Sequence, residues 1–161
     1  MAHSYVSNLT HYVFSTKNRE RSITVEIEER LWGYLGGIAR ERRIKPICIG
    51  GVEDHLHMLV SIPATLSVSK SIQLIKGGSS KWVHDTFPNH PRFEWQEGYG
   101  AFSVGISDLN RSVRYINNQK THHKRVSFKE EFIAFLKKHE IEYVERYIWA
   151  DSAVPTGLIL L

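Results

Sequence analysis

The chain reads as an α+β sandwich, an antiparallel sheet with helices on one face, followed by a helical extension at the C-terminal end. Three observations predict this. Runs of β-branched and aromatic residues alternate with amphipathic stretches in the order strand, helix, strand, strand, helix, strand. Gly, Pro and charged clusters punctuate the joins. A length of 161 residues with 42% hydrophobic content is enough for a substantial core.

The elements follow in order. Tyr5 to Thr16 mixes β-branched and aromatic residues as a strand should, and the polar run Lys17-Asn18-Arg19-Glu20-Arg21 ends it. Thr24 is placed to cap a helix reaching about Arg43, with Ile27, Leu31, Leu35 and Ile38 at helical spacing. Gly33, Gly36 and Gly37 each weaken that helix by roughly 1 kcal/mol against Ala, so a close backbone contact is the expected compensation. Ile47 to Val52 and Leu56 to Ile62 read as two strands, the second ended by Pro63. A helix is expected from about Ser67 to Asp85, with Gly77-Gly78 as an irregularity, and Phe87 to Pro91 is a loop. A fourth strand spans Tyr99 to Val104. The next helix starts near Asp108, and one or two amphipathic segments cover Phe128 to Trp149. This order is that of a ferredoxin-like (RRM-like) sandwich, a fold shared by many unrelated activities. One domain over residues 1–150 is expected, with 151–161 as an apolar tail too short to span a membrane.

Composition narrows the partners. No long apolar run or secretory leader is visible, which predicts a soluble, cytoplasmic protein without a membrane partner. The single cysteine, Cys48, excludes an internal disulfide framework. A net charge of +4 tilts the chain toward a polyanionic partner, although many proteins this basic never touch nucleic acid.

Chemistry concentrates at two places. In Glu53-Asp54-His55-Leu56-His57-Met58, residues two apart on a strand share a face, so His55 and His57 project together while Leu56 and Met58 turn into the core. Two imidazoles so placed can hold a divalent metal. Two surface histidines on a half-buried strand would give the same pattern, with nine histidines in the chain. Glu53 shares their parity and is a candidate ligand or orienting group, or a solvated strand end. The second place is the helix containing Tyr115. Leu109, Val113 and Ile116 fall within about 60° of one another and form a core stripe. Tyr115 and Gln119 lie one turn apart on an adjacent flank, presenting a phenol and a carboxamide together. His122 projects within about 20° of Tyr115, and His123 lies one turn beyond Gln119, so either can reach a metal or a phosphate.

In family order, the chain carries His11-Tyr12-Val13-Phe14-Ser15-Thr16-Lys17-Asn18-Arg19, Asp54-His55-Leu56-His57, Ile75-Lys76-Gly77-Gly78-Ser79-Ser80-Lys81, Trp95 to Val104, and Tyr115-Ile116-Asn117-Asn118-Gln119-Lys120-Thr121-His122-His123. These segments resemble the HUH-type single-tyrosine transposases of bacterial and archaeal insertion sequences. The resemblance implies a transposase acting as a single-stranded DNA endonuclease and strand-transferase, with Tyr115 as nucleophile and His55, His57 and Gln119 as ligands of Mg²⁺ or Mn²⁺. It also implies a homodimer on single-stranded or hairpin DNA at element ends, with active sites shared between subunits; Gly105 is a candidate joint for that exchange, or a simple turn glycine. Lys17, Arg19, Arg21, Lys70, Lys76 and Lys81 are, as a group, candidate DNA-phosphate contacts, and Trp82 or Trp95 candidate stacking platforms, although a solvated face is the plainer reading of any single cation and core packing that of each tryptophan. Two rival readings are a metal-dependent hydrolase using His-x-His, which would want further ligands and have no use for Tyr115, and a non-catalytic nucleic-acid-binding module of the same fold.

Overall fold

The computed structural model describes residues 3–149; the tail at 151–161 lies outside them. Strands β1 (Leu9–Ser15), β2 (Lys45–Gly51), β3 (His55–Ser61) and β4 (Gly100–Val104) form one sheet in the order β2-β3-β1-β4, every neighbour antiparallel. Reversed, this is the β4-β1-β3-β2 order of the ferredoxin-like sandwich that the element order predicted. The first strand is shorter than its composition implied, because Tyr5 and Val6 are exposed and unpaired with the sheet.

Alternation along the central strands sorts the two faces. Tyr12, Phe14, Leu56, Met58 and Val60 point to one side, where they pack with Ile27, Leu31 and Leu35 of α1 (Val25–Glu41), Ile72 and Ile75 of α2 (Val68–Lys76) and Val83 of α3 (Ser79–Thr86). The expected helix at 67–85 is thus two helices. Gly78 adopts φ 79°, a left-handed turn that glycine takes at no steric cost, and the helix breaks there. Ser67 caps α2 by accepting from the Lys70 N–H. The opposite face carries His11, Val13, His55 and His57, and the C-terminal extension covers it: α4 (Leu109–Asn117), α5 (Gln119–His122) and α6 (Phe128–Lys138).

The expected close backbone contact is not made by the α1 glycines, since a Cβ at Gly33 or Gly37 would meet nothing. It occurs on β2. A Cβ at Gly50 would lie 2.4 Å from the Ile116 carbonyl oxygen, so glycine there lets α4, the tyrosine helix, settle onto the sheet. Gly105 is in ordinary extended backbone (φ −75°, ψ 150°), which any residue adopts.

Candidate metal and tyrosine site

β3 sets the two histidines side by side on the covered face, both fully buried. Unpaired imidazoles there would be costly, and each ring is held at both nitrogens. His55 Nδ1 lies 2.7 Å from Asp54 Oδ1, and its Nε2 is 3.0 Å from His123 Nε2 and 3.3 Å from Glu131 Oε1. His57 Nδ1 lies 2.8 Å from His11 Nε2, and its Nε2 is 2.8 Å from Glu131 Oε1. One donor atom from each of His55, His57, His123 and Glu131 falls within 4.8 Å of the others. That spacing approaches the shell of donors around one ion bound at about 2.0–2.2 Å.

The tyrosine comes to the same point from the same chain. Tyr115 donates its phenol hydrogen to Glu131 Oε2 and stands 3.3 Å from His122 Nε2. Glu131 therefore spans the site: Oε1 faces the β3 histidines, and Oε2 faces Tyr115, His122 (3.2 Å) and His123 (3.1 Å). Gln119 is buried beneath this cluster on the same helical arm. Its Nε2 donates to the Tyr115 carbonyl at 3.3 Å, leaving Oε1 buried with no partner among the described residues. A buried carboxamide oxygen without a donor is an anomaly that a cation would resolve. Imidazole nitrogens, a carboxylate and a free amide oxygen together make a donor set that fits a divalent ion.

The electrostatics follow from burial and charge. Burial raises the Tyr115 phenol well above its usual range, and the hydrogen bond to the Glu131 carboxylate raises it further. Burial alone would raise Glu131, but hydrogen bonds from His123, His55 and His57 outweigh it and hold the carboxyl well below the usual carboxylate range. Burial lowers His57 in spite of Glu131. For His55 the Asp54 and Glu131 hydrogen bonds overcome burial and raise it. Burial and the neighbouring His57 push His11 down to about 3, so that ring is neutral.

Of the residues singled out from sequence, His55, His57, Tyr115, Gln119, His122 and His123 converge. Glu53 does not. β3 begins only at His55, and Glu53 sits on the preceding turn with an exposed side chain 3.8 Å from Arg21 Nε. Its neighbour Asp54 makes the contact to His55 instead. The basic candidates are also dispersed. Lys70, Lys76 and Lys81 lie on α2 and α3, behind the sheet from the histidines. Lys76 is committed to the carbonyls of Gln96 (2.8 Å) and Gly98 (2.9 Å), and burial lowers its pKa to about 8. Lys81 pairs with Asp85 at 2.5 Å, Lys17 pairs with Glu94 at 3.0 Å, and Arg19 covers the Trp149 ring. Trp82 stacks on Tyr34, and Trp95 packs against Phe14 while donating to Ser79 Oγ.

Two clefts reach the cluster. One of about 430 Å³ opens onto Tyr115 and Glu131 between Arg111, Phe135 and Lys138. The other, about 490 Å³, reaches His123 and Asp54 past Arg21, Lys120 and Lys124. Sequence reasoning missed Glu131, His11 and the nearer cations Arg111, Lys120, Lys124 and Lys138, while Arg21, a candidate from the sequence, does line the second cleft. No helix among the described residues is long and apolar enough to cross a membrane.

Comparison with known proteins agrees with the geometry. The chain is 27% identical over 124 residues to the IS200 transposase of Salmonella typhimurium, covering 74% of this chain and 81% of the relative. It is 21% identical over 114 residues to the ISDra2 transposase TnpA of Deinococcus radiodurans, covering 68% and 81%. Its fold matches that of a REP-associated tyrosine transposase bound to a REP hairpin, with a TM-score of 0.57, 16% identity, and coverage of 78% and 74%. The model of the family described as "Transposase IS200 like" matches residues 4–119, and the chain belongs to that family.

Proposed function

We propose that the chain cuts and rejoins single-stranded DNA at the ends of a mobile element, with Tyr115 as the nucleophile. The observation that carries this reading is the Glu131 bridge, which puts the phenol oxygen and the His57 ring on opposite oxygens of one carboxylate. His55, His57 and Glu131 would hold Mg²⁺ or Mn²⁺, His123 would close the nitrogen side, and Gln119 Oε1 would supply a further oxygen. A divalent ion so held supplies positive charge that offsets the phosphate and favours ionisation of the nearby phenol.

The chain's own groups do the rest. Glu131 Oε2 accepts the phenol hydrogen bond and orients the oxygen, and the proton passes to solvent as the phenol attacks. The Tyr115 oxygen forms a bond to phosphorus as the bond to the 3′ oxygen breaks, and that oxygen leaves as a 3′-hydroxyl after gaining a proton. The 5′-phosphotyrosine link keeps the energy of the broken phosphodiester, so a second 3′-hydroxyl can attack it and join strands without ATP. Arg111 and Lys138 flank the cleft over Tyr115, where they would neutralise backbone phosphates. A hairpin or single-stranded substrate accords with the hairpin-bound fold relative. Every group of the site comes from one chain, so the homodimer implied by the resemblance would bring two whole sites together.

One observation favours a second reading. Four potential ligands form a richer shell than a two-histidine site, as a hydrolase activating water would require. The experiment separates the two. The protein is incubated with Mn²⁺ and single-stranded DNA spanning the element ends, then run on a denaturing gel. A protein–DNA adduct that is absent from Tyr115→Phe and strongly reduced in His57→Ala supports the transposase; cleavage without an adduct supports the hydrolase.

A further inference from the structure

We propose that His11 is a positioning residue that holds the ring angle of His57 and accepts its Nδ1 hydrogen when Nε2 binds a metal, an inference that rests on reading the cluster as a metal centre. His11 lies at the middle of β1, a central strand, with Leu59 and Phe102 as its cross-strand partners. His57 pairs with Val13, two residues along, so the two rings are diagonal neighbours on one sheet face. His11 is only 3% exposed among Phe102, Phe135 and Tyr115, a setting that would suit Leu or Phe. A buried ring nitrogen there needs a partner, and Nε2 has one in His57 Nδ1 at 2.8 Å.

The proton count gives the contact its meaning. Coordination through His57 Nε2 uses that nitrogen's lone pair, so the ring hydrogen must sit on Nδ1 and be donated. His11 Nε2 is the acceptor in place. Without an ion, His57 Nε2–H can donate to Glu131 Oε1 at 2.8 Å, and Nδ1 then accepts from His11 Nε2–H. A neutral imidazole serves both arrangements by moving its own hydrogen between its nitrogens. A carboxylate could only accept and an ammonium could only donate. The neighbouring ligand is held differently, since Asp54 Oδ1 can only accept from His55 Nδ1–H. Each β3 histidine thus has a partner at Nδ1, and both Nε2 atoms face Glu131.

The test uses His11→Phe, which keeps the aromatic packing and removes the acceptor, and His11→Gln, which keeps a polar group able to accept or donate. Mn²⁺ affinity is measured by calorimetry, and ring ¹⁵N shifts of His57 are recorded with and without Mg²⁺. We expect His11→Phe to weaken Mn²⁺ binding about 10- to 100-fold, His11→Gln to retain most of it, and His57 to carry its hydrogen on Nδ1 in the loaded wild type. Wild-type affinity in His11→Phe, or equal losses in the two variants, would reduce His11 to packing. Should His11→Phe not fold, the wild-type ¹⁵N spectrum decides: a loaded His57 with its hydrogen on Nε2 overturns the proposal. A wild-type protein that binds no Mn²⁺ would sink the metal reading itself, a result distinct from either.

Discussion

Replacing Glu131 by Ala probes the site at its most connected point. The carboxylate is 3% exposed and contacts His57 at 2.8 Å, His123 at 3.1 Å, His122 at 3.2 Å, His55 at 3.3 Å and the Tyr115 phenol. Charge-assisted bonds of this kind contribute about 1.5–3 kcal/mol each when removed singly, and they do not add. Breaking a buried charged network by deleting one partner costs about 3–5 kcal/mol. At about 2–4 °C per kcal/mol for a chain of this size, Tm should fall by about 6–20 °C without metal. Glu131→Gln keeps the shape and one acceptor but loses the charge, so it should fall between wild type and Ala. The same change removes a group that raises the Tyr115 pKa, so the phenol should ionise at lower pH in Glu131→Gln. Scanning calorimetry gives the first result. Ultraviolet tyrosinate titration, with Tyr115→Phe subtracted, gives the second. Mn²⁺ calorimetry should show weaker binding in both variants. A Glu131→Ala protein with wild-type Tm and wild-type Mn²⁺ affinity would refute the bridge.

Three further outcomes are expected. Gly50→Ala pushes a Cβ into the Ile116 carbonyl and must displace the tyrosine helix; a shift near 1 Å can cost about 100-fold in rate, read as slower adduct formation. Acid should destabilise the protein below about pH 6.5. Folded His11 stays neutral down to about 3 while the unfolded ring binds a proton from its ordinary 6.5, and folded Glu131 resists protonation below 4.5. The unfolded state therefore binds more protons in this window and stability rises with pH. The His11 share is on the order of 4 kcal/mol, while the raised His55 opposes it. A urea midpoint that is flat between pH 6.5 and 4 would contradict this. Finally, mixing Tyr115→Phe with His57→Ala should not restore adduct formation, because one chain supplies both groups.

The strand parity of His55 and His57 and the helical flank of Tyr115 and Gln119 were legible because period and spacing alone place them. His123 was visible as an alternative on the same arm. The boundary errors are local. The Gly77-Gly78 pair breaks a helix rather than bending it, and β3 starts after Glu53, which moves that carboxylate out of the strand's alternation. Glu131 was missed because a Glu in Phe128-Lys129-Glu130-Glu131-Phe132 looks solvated. Its signal was a charge on the apolar stripe between Phe128 and Phe135, where burial needs a partner. His11 was hidden for a different reason. β1 is covered on both faces, so its burial pattern is nearly continuous and alternation no longer marks which polar residue is functional. The distant lysines followed from charge alone, which does not say which sheet face a helix occupies.

The central claim is that the Tyr115 phenol attacks phosphorus beside the His55–His57 pair. The most direct measurement is mass spectrometry of proteolysed adduct formed with Mn²⁺ and single-stranded element-end DNA. The account predicts a nucleotide linked through its 5′-phosphate to the peptide carrying Tyr115. A nucleotide on another residue, or cut DNA with no linked peptide, would contradict it.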